Sequence, residues 1–197
     1  MSNSRSGSGA DLKLLPPPEV GKWRAYERMA LQIRDFAKLS LTARLDPFAL
    51  AESINVRVLY PRDLAGLSGA SLARLDVVDG WSGGATQALE DGSHIVILNQ
   101  RHSMERQAAT LMEEVCHVLF GHKPSEIGAE QNGGRSYNFS VEDEAYSVGA
   151  AALVPYHALK TLLISGDSIR KIARRFGVTP SLIVYRIKGT GLGKFLP

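Results

Sequence analysis

The chain has 197 residues, of which 44% are hydrophobic and 22% are charged, and this is the composition of an ordinary globular protein. The length suits one sizeable core, alone or with a small appended module. A formal net charge of +3 is too small to indicate a nucleic-acid-binding protein by itself.

The N-terminal segment, 1–20, is rich in Ser and Gly and then in Pro, and it lacks the compact apolar stretch of a secretory signal. We expect this segment to be a disordered lead. No apolar run approaches the roughly 20 residues of a membrane-spanning helix, and the single cysteine, Cys116, fits a reducing compartment. These features predict a soluble, cytoplasmic protein with no membrane partner.

The chain after this lead is predicted to begin with two helices and to continue with short strands. Apolar residues recur at a helical period over 22–39, and Asp46 is placed to cap a second helix that begins with Pro47. Alternating or β-rich segments predict strands at 56–60, 70–75, 82–89 and 94–98. Because short turns separate these segments, we expect an antiparallel meander.

The C-terminal half is predicted to be helical. Helices are expected over 101–121, 142–154 and 156–164, with an exposed loop over 123–139. Segments 168–176 and 180–188 predict a helix-turn-helix-like pair, in which Thr179 caps the second helix. We therefore predict an α+β fold, with a main domain at 21–164 and a helical extension at 165–197 packed on it.

A charged group interrupts the apolar pattern of the 101–121 helix. Glu113 and His117 are four residues apart, so their side chains project over one spot and can converge on one ion. Glu114 reaches the edge of the same spot. This spacing is similar to the zinc-protease pattern H-E-x-x-H, but it also fits a solvated helix face with an ordinary salt bridge.

A second acidic cluster, Glu142, Asp143 and Glu144, opens the next predicted helix. A carboxylate from this cluster can complete a three-ligand metal site with the first helix. The alternative is that these acids only favour the positive end of their own helix dipole.

Two neighbours of this charged group have simpler predicted roles. Cys116 points about 100° away from His117 around the helix, so we predict a core residue and not a nucleophile. His122 follows the end of the helix, about 140° from His117 on an ideal helix. It is predicted to support the site or to cap the helix, with metal contact as the alternative.

Five segments, taken together, resemble the ImmA/IrrE family of bacterial metallopeptidases. They are L-D-P-F-A-L-A-E-S-I-N-V-R-V, G-S-H-I-V-I-L-N, R-Q-x-x-T-L-x-E-E-x-x-H-x-L-F-G-H, E-x-E-A-x-x-x-x-A-A-A-L-V-P and S-I-R-K-I-A-R-R-F-G-V-T-P-S-L-I-V-Y-R-I. The resemblance rests on the order and spacing of these five segments, and it covers about residues 24–192. It implies a small zincin-like domain in which a short antiparallel sheet flanks the motif helix.

The resemblance also implies roles for single residues. His117 matches the second zinc histidine of the family and Glu114 its general base. Glu144 best matches the third ligand, and Glu142 is the near alternative. Glu113 stands where the family has its first ligand histidine. The implied metal site is therefore Glu113, His117 and Glu144, with Glu114 as the catalytic residue.

The glutamate at position 113 changes the chemistry that we expect. Two carboxylates and one imidazole neutralise more of a metal's charge than two imidazoles and one carboxylate do, so a bound water ionises less readily. We expect zinc, and the harder oxygen ligands also suit manganese or iron. The resemblance implies a metal-dependent endopeptidase that cleaves a protein, such as a transcriptional repressor, in a stress response. A catalytically impaired sensor or regulatory protein with the same fold is the alternative.

The C-terminal helix pair suggests a third function. Its second helix, with Tyr185, Arg186 and Lys188, suits a DNA major groove, while the basic residues of the first helix suit phosphates. Periodic apolar residues along both helices instead favour packing on the main domain. We expect packing or partner docking ahead of DNA binding.

Overall fold

The computed structural model describes residues 21–85, 88–122 and 139–196. The predicted disordered lead at 1–20 and the predicted loop up to residue 138 lie outside the described residues. The α-helices and strands of the described part are α1 (Lys22–Phe36), α2 (Pro47–Ser53), β1 (Val56–Leu59), α3 (Gly69–Leu75), β2 (Gly83–Ala85), β3 (His94–Leu98), α4 (Met104–Leu119), α5 (Phe139–Leu153), α6 (Tyr156–Ile164), α7 (Ile169–Phe176) and α8 (Pro180–Thr190). The predicted α+β class is confirmed.

The strands of the described chain form a small mixed sheet in the order β1-β3-β2. β1 runs parallel to β3, with Val56 opposite His94. β2 runs antiparallel to β3, with Gly83 opposite Leu98. The predicted antiparallel meander is therefore wrong, because β1 and β3 point in the same direction.

The physical reason for this error lies in segment 70–75, which was predicted to be a strand and belongs to α3. Ser68 caps this helix, since its Oγ accepts a hydrogen bond from the backbone N of Ser71 at 3.1 Å. Ala, Leu and Arg then favour the helix by intrinsic propensity. The chain thus leaves β1 through a helix and not through a hairpin turn.

Two helix starts confirm the capping predicted from the sequence. Asp46 accepts hydrogen bonds from the backbone N of Phe48 at 2.9 Å and of Ala49 at 3.4 Å. Thr179 accepts one from the backbone N of Leu182 at 3.2 Å. Each cap satisfies donors that have no partner inside the helix.

α5 packs against both α1 and α4, and the contact with α4 is close. Gly149 of α5 faces the backbone of α4: a Cβ added there would lie 3.2 Å from Met112 O and 3.3 Å from Glu113 N. Buried alanines continue the small-residue surface of α5 at 145, 150, 151 and 152. This close approach brings the charged residues of α4 next to the first turns of α5.

α7 and α8 share the same buried apolar core as α4 and α5. Arg186 of α8 is 4% exposed and forms an ion pair with Glu27 of α1. Its Nε also donates a hydrogen bond to Val154 O at 3.1 Å. Arg186 is therefore unavailable to a DNA base, and these contacts favour the packing role of the helix pair.

Across the three described ranges, no single helix has both the length and the apolar character needed to cross a membrane. α5 and α6 meet that test only as a pair, across a bend of 54°.

Candidate metal centre

Three ionisable side chains from α4 and α5 meet in one place. Glu113, His117 and Glu142 each offer a ligand atom, and these atoms all lie within 4.8 Å of one another. His117 Nε2 lies 3.4 Å from Glu142 Oε2. All three residues are half-buried, so the group is shielded from bulk water and still reachable.

The structure places Glu142 and Glu144, the two glutamates that the sequence offers as third ligand, in different surroundings. Glu142 faces His117 and belongs to the ligand group. Glu144 Oε2 instead lies 3.2 Å from His122 Nε2. Among the residues that the structure describes, the one cluster with metal-ligand spacing contains Glu142 and does not contain Glu144.

The electrostatics of Glu113 fit a cation at this place. Its pKa is raised from 4.5 to about 7, first by burial and then by the carboxylates of Glu114 and Glu142. Like charges held together in a partly desolvated site favour the protonated form, and a bound cation relieves the repulsion. Two carboxylates and one imidazole are also a donor set that divalent metals accept. The residues present therefore fit a metal ion.

His117 is suited to be a nitrogen ligand. Burial lowers its pKa, and the nearby His122 acts in the same direction, while Glu142 opposes both. The neutral imidazole that results has a lone pair for a metal. The predicted placement of Glu113 and His117 on one helical face is confirmed, since both belong to the same group.

Asp143 anchors the start of α5, a role that the sequence did not reveal. Tyr26 of α1 donates a hydrogen bond to Asp143 Oδ2 at 3.2 Å. Ser147 Oγ lies 2.7 Å from Tyr185 Oη and 3.5 Å from Asp143 Oδ1. The tyrosine of α1 stands in an apolar helical stripe, so its pattern gave no signal of a polar contact.

Cys116 is fully buried in the hydrophobic core, which confirms its predicted place. Burial also raises the pKa of its thiol well above the usual range. A thiol that stays protonated is a poor nucleophile, so the structure offers no support for cysteine chemistry at this residue.

Comparison with known protein families agrees with this geometry. Residues 51–188 match the Peptidase M78 family, described as the IrrE N-terminal-like domain. The chain belongs to this family. The match confirms the resemblance found in the sequence and indicates a metallopeptidase-like protein with a metal cofactor. It covers α4 and α5 and crosses the predicted domain boundary at 164–165. A search of curated proteins finds no significant match.

Proposed function

We propose that this member of the M78 family is a zinc-dependent endopeptidase with a zincin-like site made by Glu113, His117 and Glu142. The observation that supports it is the convergence of three ligand atoms from two helices within 4.8 Å. Glu142 takes the ligand role in this proposal because it faces His117, whereas Glu144 contacts His122. The oxygen-rich donor set also suits manganese or iron.

The residues of this chain divide the chemistry between them. A divalent cation, when bound, supplies a Lewis acid that polarises a peptide carbonyl and acidifies water. Glu114 follows Glu113 on α4 and is half-buried, close enough to raise the pKa of Glu113. We assign Glu114 as the general base, which takes a proton from the attacking water and passes it to the leaving amine.

The substrate in this proposal is a protein, such as a transcriptional repressor that is cleaved in a bacterial stress response. Family membership supports a peptidase-like activity. The buried, unpaired thiol of Cys116 is compatible with the reducing cytoplasm in which such a substrate would be met.

Metal analysis and a cleavage assay test this function together. We expect about one zinc per chain in the purified protein, lost in His117→Ala. Incubation with a peptide library from a digested bacterial proteome should yield new N-termini with the wild type and none with Glu114→Gln, which should keep its metal. Glu52→Gln, at an exposed site on α2, is the matched control. Protein that takes up no metal on reconstitution, or cleavage that survives Glu114→Gln, refutes the proposal.

A second candidate, a catalytically impaired regulatory protein, is favoured by one observation: Glu113 contributes a carboxylate where the family resemblance implies histidine. If the protein has this regulatory role, we expect the wild type to bind metal and not to cleave the peptide library. The variant Glu113→His, which restores the nitrogen ligand, should then gain cleavage. Absence of cleavage in both proteins, with metal bound, supports a purely regulatory role.

A further inference from the structure

The end of α4 turns His122 back toward the metal centre. Gly121 has a φ of 64°, and the backbone N of His122 donates to His117 O at 3.0 Å. The backbone N of Gly121 donates to Val118 O at 3.2 Å. These two bonds form a Schellman motif, in which a left-handed residue closes the helix. His122 therefore leaves the ideal helical path and lies beside His117.

Hydrogen bonds connect three side chains in a row at this turn. His122 Nδ1 lies 3.1 Å from His117 Nδ1, and His122 Nε2 lies 3.2 Å from Glu144 Oε2. The side chain of His122 is only 11% exposed, so the middle of this row is shielded from water, whereas Glu144 at its end is 35% exposed. The other ring nitrogen of His117, Nε2, lies 3.4 Å from Glu142 Oε2.

The direction of the protons follows from the carboxylate at the far end. An ionised Glu144 can only accept, so His122 Nε2–H donates to it. The Nδ1 of a neutral His122 then has a lone pair, which accepts the Nδ1–H of His117. Without a metal, Glu142 Oε2 lies 3.4 Å from His117 Nε2 and competes for a proton on that nitrogen. Once a cation takes the place of that proton, the row leaves the lone pair of His117 on Nε2, the nitrogen that points into the ligand group.

We propose that Glu144 and His122 form a positioning relay that holds His117 in the tautomer whose Nε2 can bind the metal. The inference rests on the proposed metal site. Glu144 thereby acts on the metal centre through His122 and is not itself a ligand. Partners of this kind fix ring orientation and raise the basicity of ligand histidines, and their loss typically weakens metal binding about 10- to 100-fold.

The tautomer of His117 in the metal-free, full-length Glu142→Met variant is the first test, because this variant removes the carboxylate that competes for a proton on Nε2. Nitrogen-15 NMR of the imidazole should show the proton on Nδ1 in this background, to which the following changes are added. His122→Phe keeps a ring but removes the acceptor, and Glu144→Met removes the far carboxylate, so both should lose this preference. Glu144→Gln keeps an acceptor oxygen and should retain most of it. Glu52→Met, on the exposed surface of α2, should leave it unchanged.

Zinc affinity, measured in competition with a chelator, is the second test. His122→Phe and Glu144→Met should each bind zinc about 10- to 100-fold more weakly, with unchanged stoichiometry. Glu142→Gln should lose far more, because it removes a ligand. Thermal unfolding of each variant separates these effects from loss of the fold.

Two results overturn the relay. If folded His122→Phe and Glu144→Met show unchanged zinc affinity and an unchanged His117 tautomer, the relay is refuted. Complete loss of zinc in folded Glu144→Met shows instead that Glu144 is a ligand. The proposed function fails separately, through absent metal or absent cleavage in the wild type. The tautomer measurement needs neither, so the two failures can be told apart.

Discussion

Glu113 is a half-buried carboxyl beside two others, and its ionisation should affect the stability of the metal-free protein. Because its pKa of about 7 in the fold exceeds the ordinary value of 4.5, the folded state holds this proton more tightly than the unfolded state does. This contribution to stability is fully present below about pH 4.5 and is lost as the pH rises through about 7.

The variant Glu113→Gln tests this directly. In chelator-treated protein at pH 8, we expect the free energy of unfolding of this variant, measured with urea, to exceed that of the wild type by on the order of 2 kcal/mol. At pH 4.5 the difference should nearly vanish, and added zinc should stabilise the wild type more. Glu52→Gln, at an exposed glutamate, should show no such pH dependence. Equal stability of wild type and Glu113→Gln at pH 8 would contradict the electrostatic account.

Cys116 gives a second prediction at the level of a single residue. Its thiol is buried and its pKa is raised, so a maleimide or disulfide reagent should react at least about 100-fold more slowly in native protein than in urea. Ser53→Cys in a Cys116→Ala background provides an exposed thiol for comparison. Rapid labelling of native wild-type protein would show that the thiol is accessible and that this core opens readily.

At the scale of elements, the sequence predicted most helices because their signals are local. Caps such as Asp46 and Thr179 and the helical period of apolar residues depend only on neighbours in the chain. The parallel pairing of β1 with β3 joins strands far apart in the chain, and no local pattern encodes it. Short strands were also hard to separate from a short helix, as α3 shows.

The candidate site was predictable only in part, for a similar reason. Spacing on one helix predicted that Glu113 and His117 share a face, since helical geometry determines it. The choice between Glu142 and Glu144 depends on how α5 is rotated against α4, and tertiary packing sets that rotation. His122 lies beyond the helix end, where a left-handed turn and not the helical period determines its position.

The close approach of α4 and α5 leads to a prediction about Gly149. Gly149→Ala places a methyl group 3.2 Å from Met112 O and 3.3 Å from Glu113 N, and backbone atoms cannot move aside easily. We expect a loss of about 1–3 kcal/mol and weaker zinc binding, because the helices that bear the ligands must separate.

Gly189→Ala is the matched control for this helix contact. Gly189 is an exposed residue of α8, and an added Cβ there meets nothing within 4 Å. Alanine should therefore stabilise α8 by about 0.5–1 kcal/mol and leave zinc affinity unchanged. If Gly149→Ala matched Gly189→Ala in both its stability to urea and its zinc affinity, this would contradict the claim that close packing of α5 on α4 positions the ligands.

At the scale of the whole molecule, the buried pair of Glu27 and Arg186 joins α1 to α8 through residues that are 159 positions apart in the chain. Glu27 Oε1 also accepts a hydrogen bond from the backbone N of Tyr156, and Arg186 donates to Val154 O. The pair thus ties α1, the connection between α5 and α6, and α8 to one another. Its charges are almost fully buried, so removing one partner leaves the other unpaired in a poorly solvating place.

Arg186→Met should cost about 3–5 kcal/mol in urea denaturation, since the carboxylate of Glu27 is left without its cation. The double variant Glu27→Gln/Arg186→Met should be more stable than Arg186→Met alone, because glutamine still accepts from Tyr156 N and carries no charge. Arg175→Met, at an exposed arginine of α7, should change stability by less than about 0.5 kcal/mol. A DNA role for Arg186 would give the opposite result: unchanged stability and a salt-dependent affinity for duplex DNA that Arg186→Met abolishes.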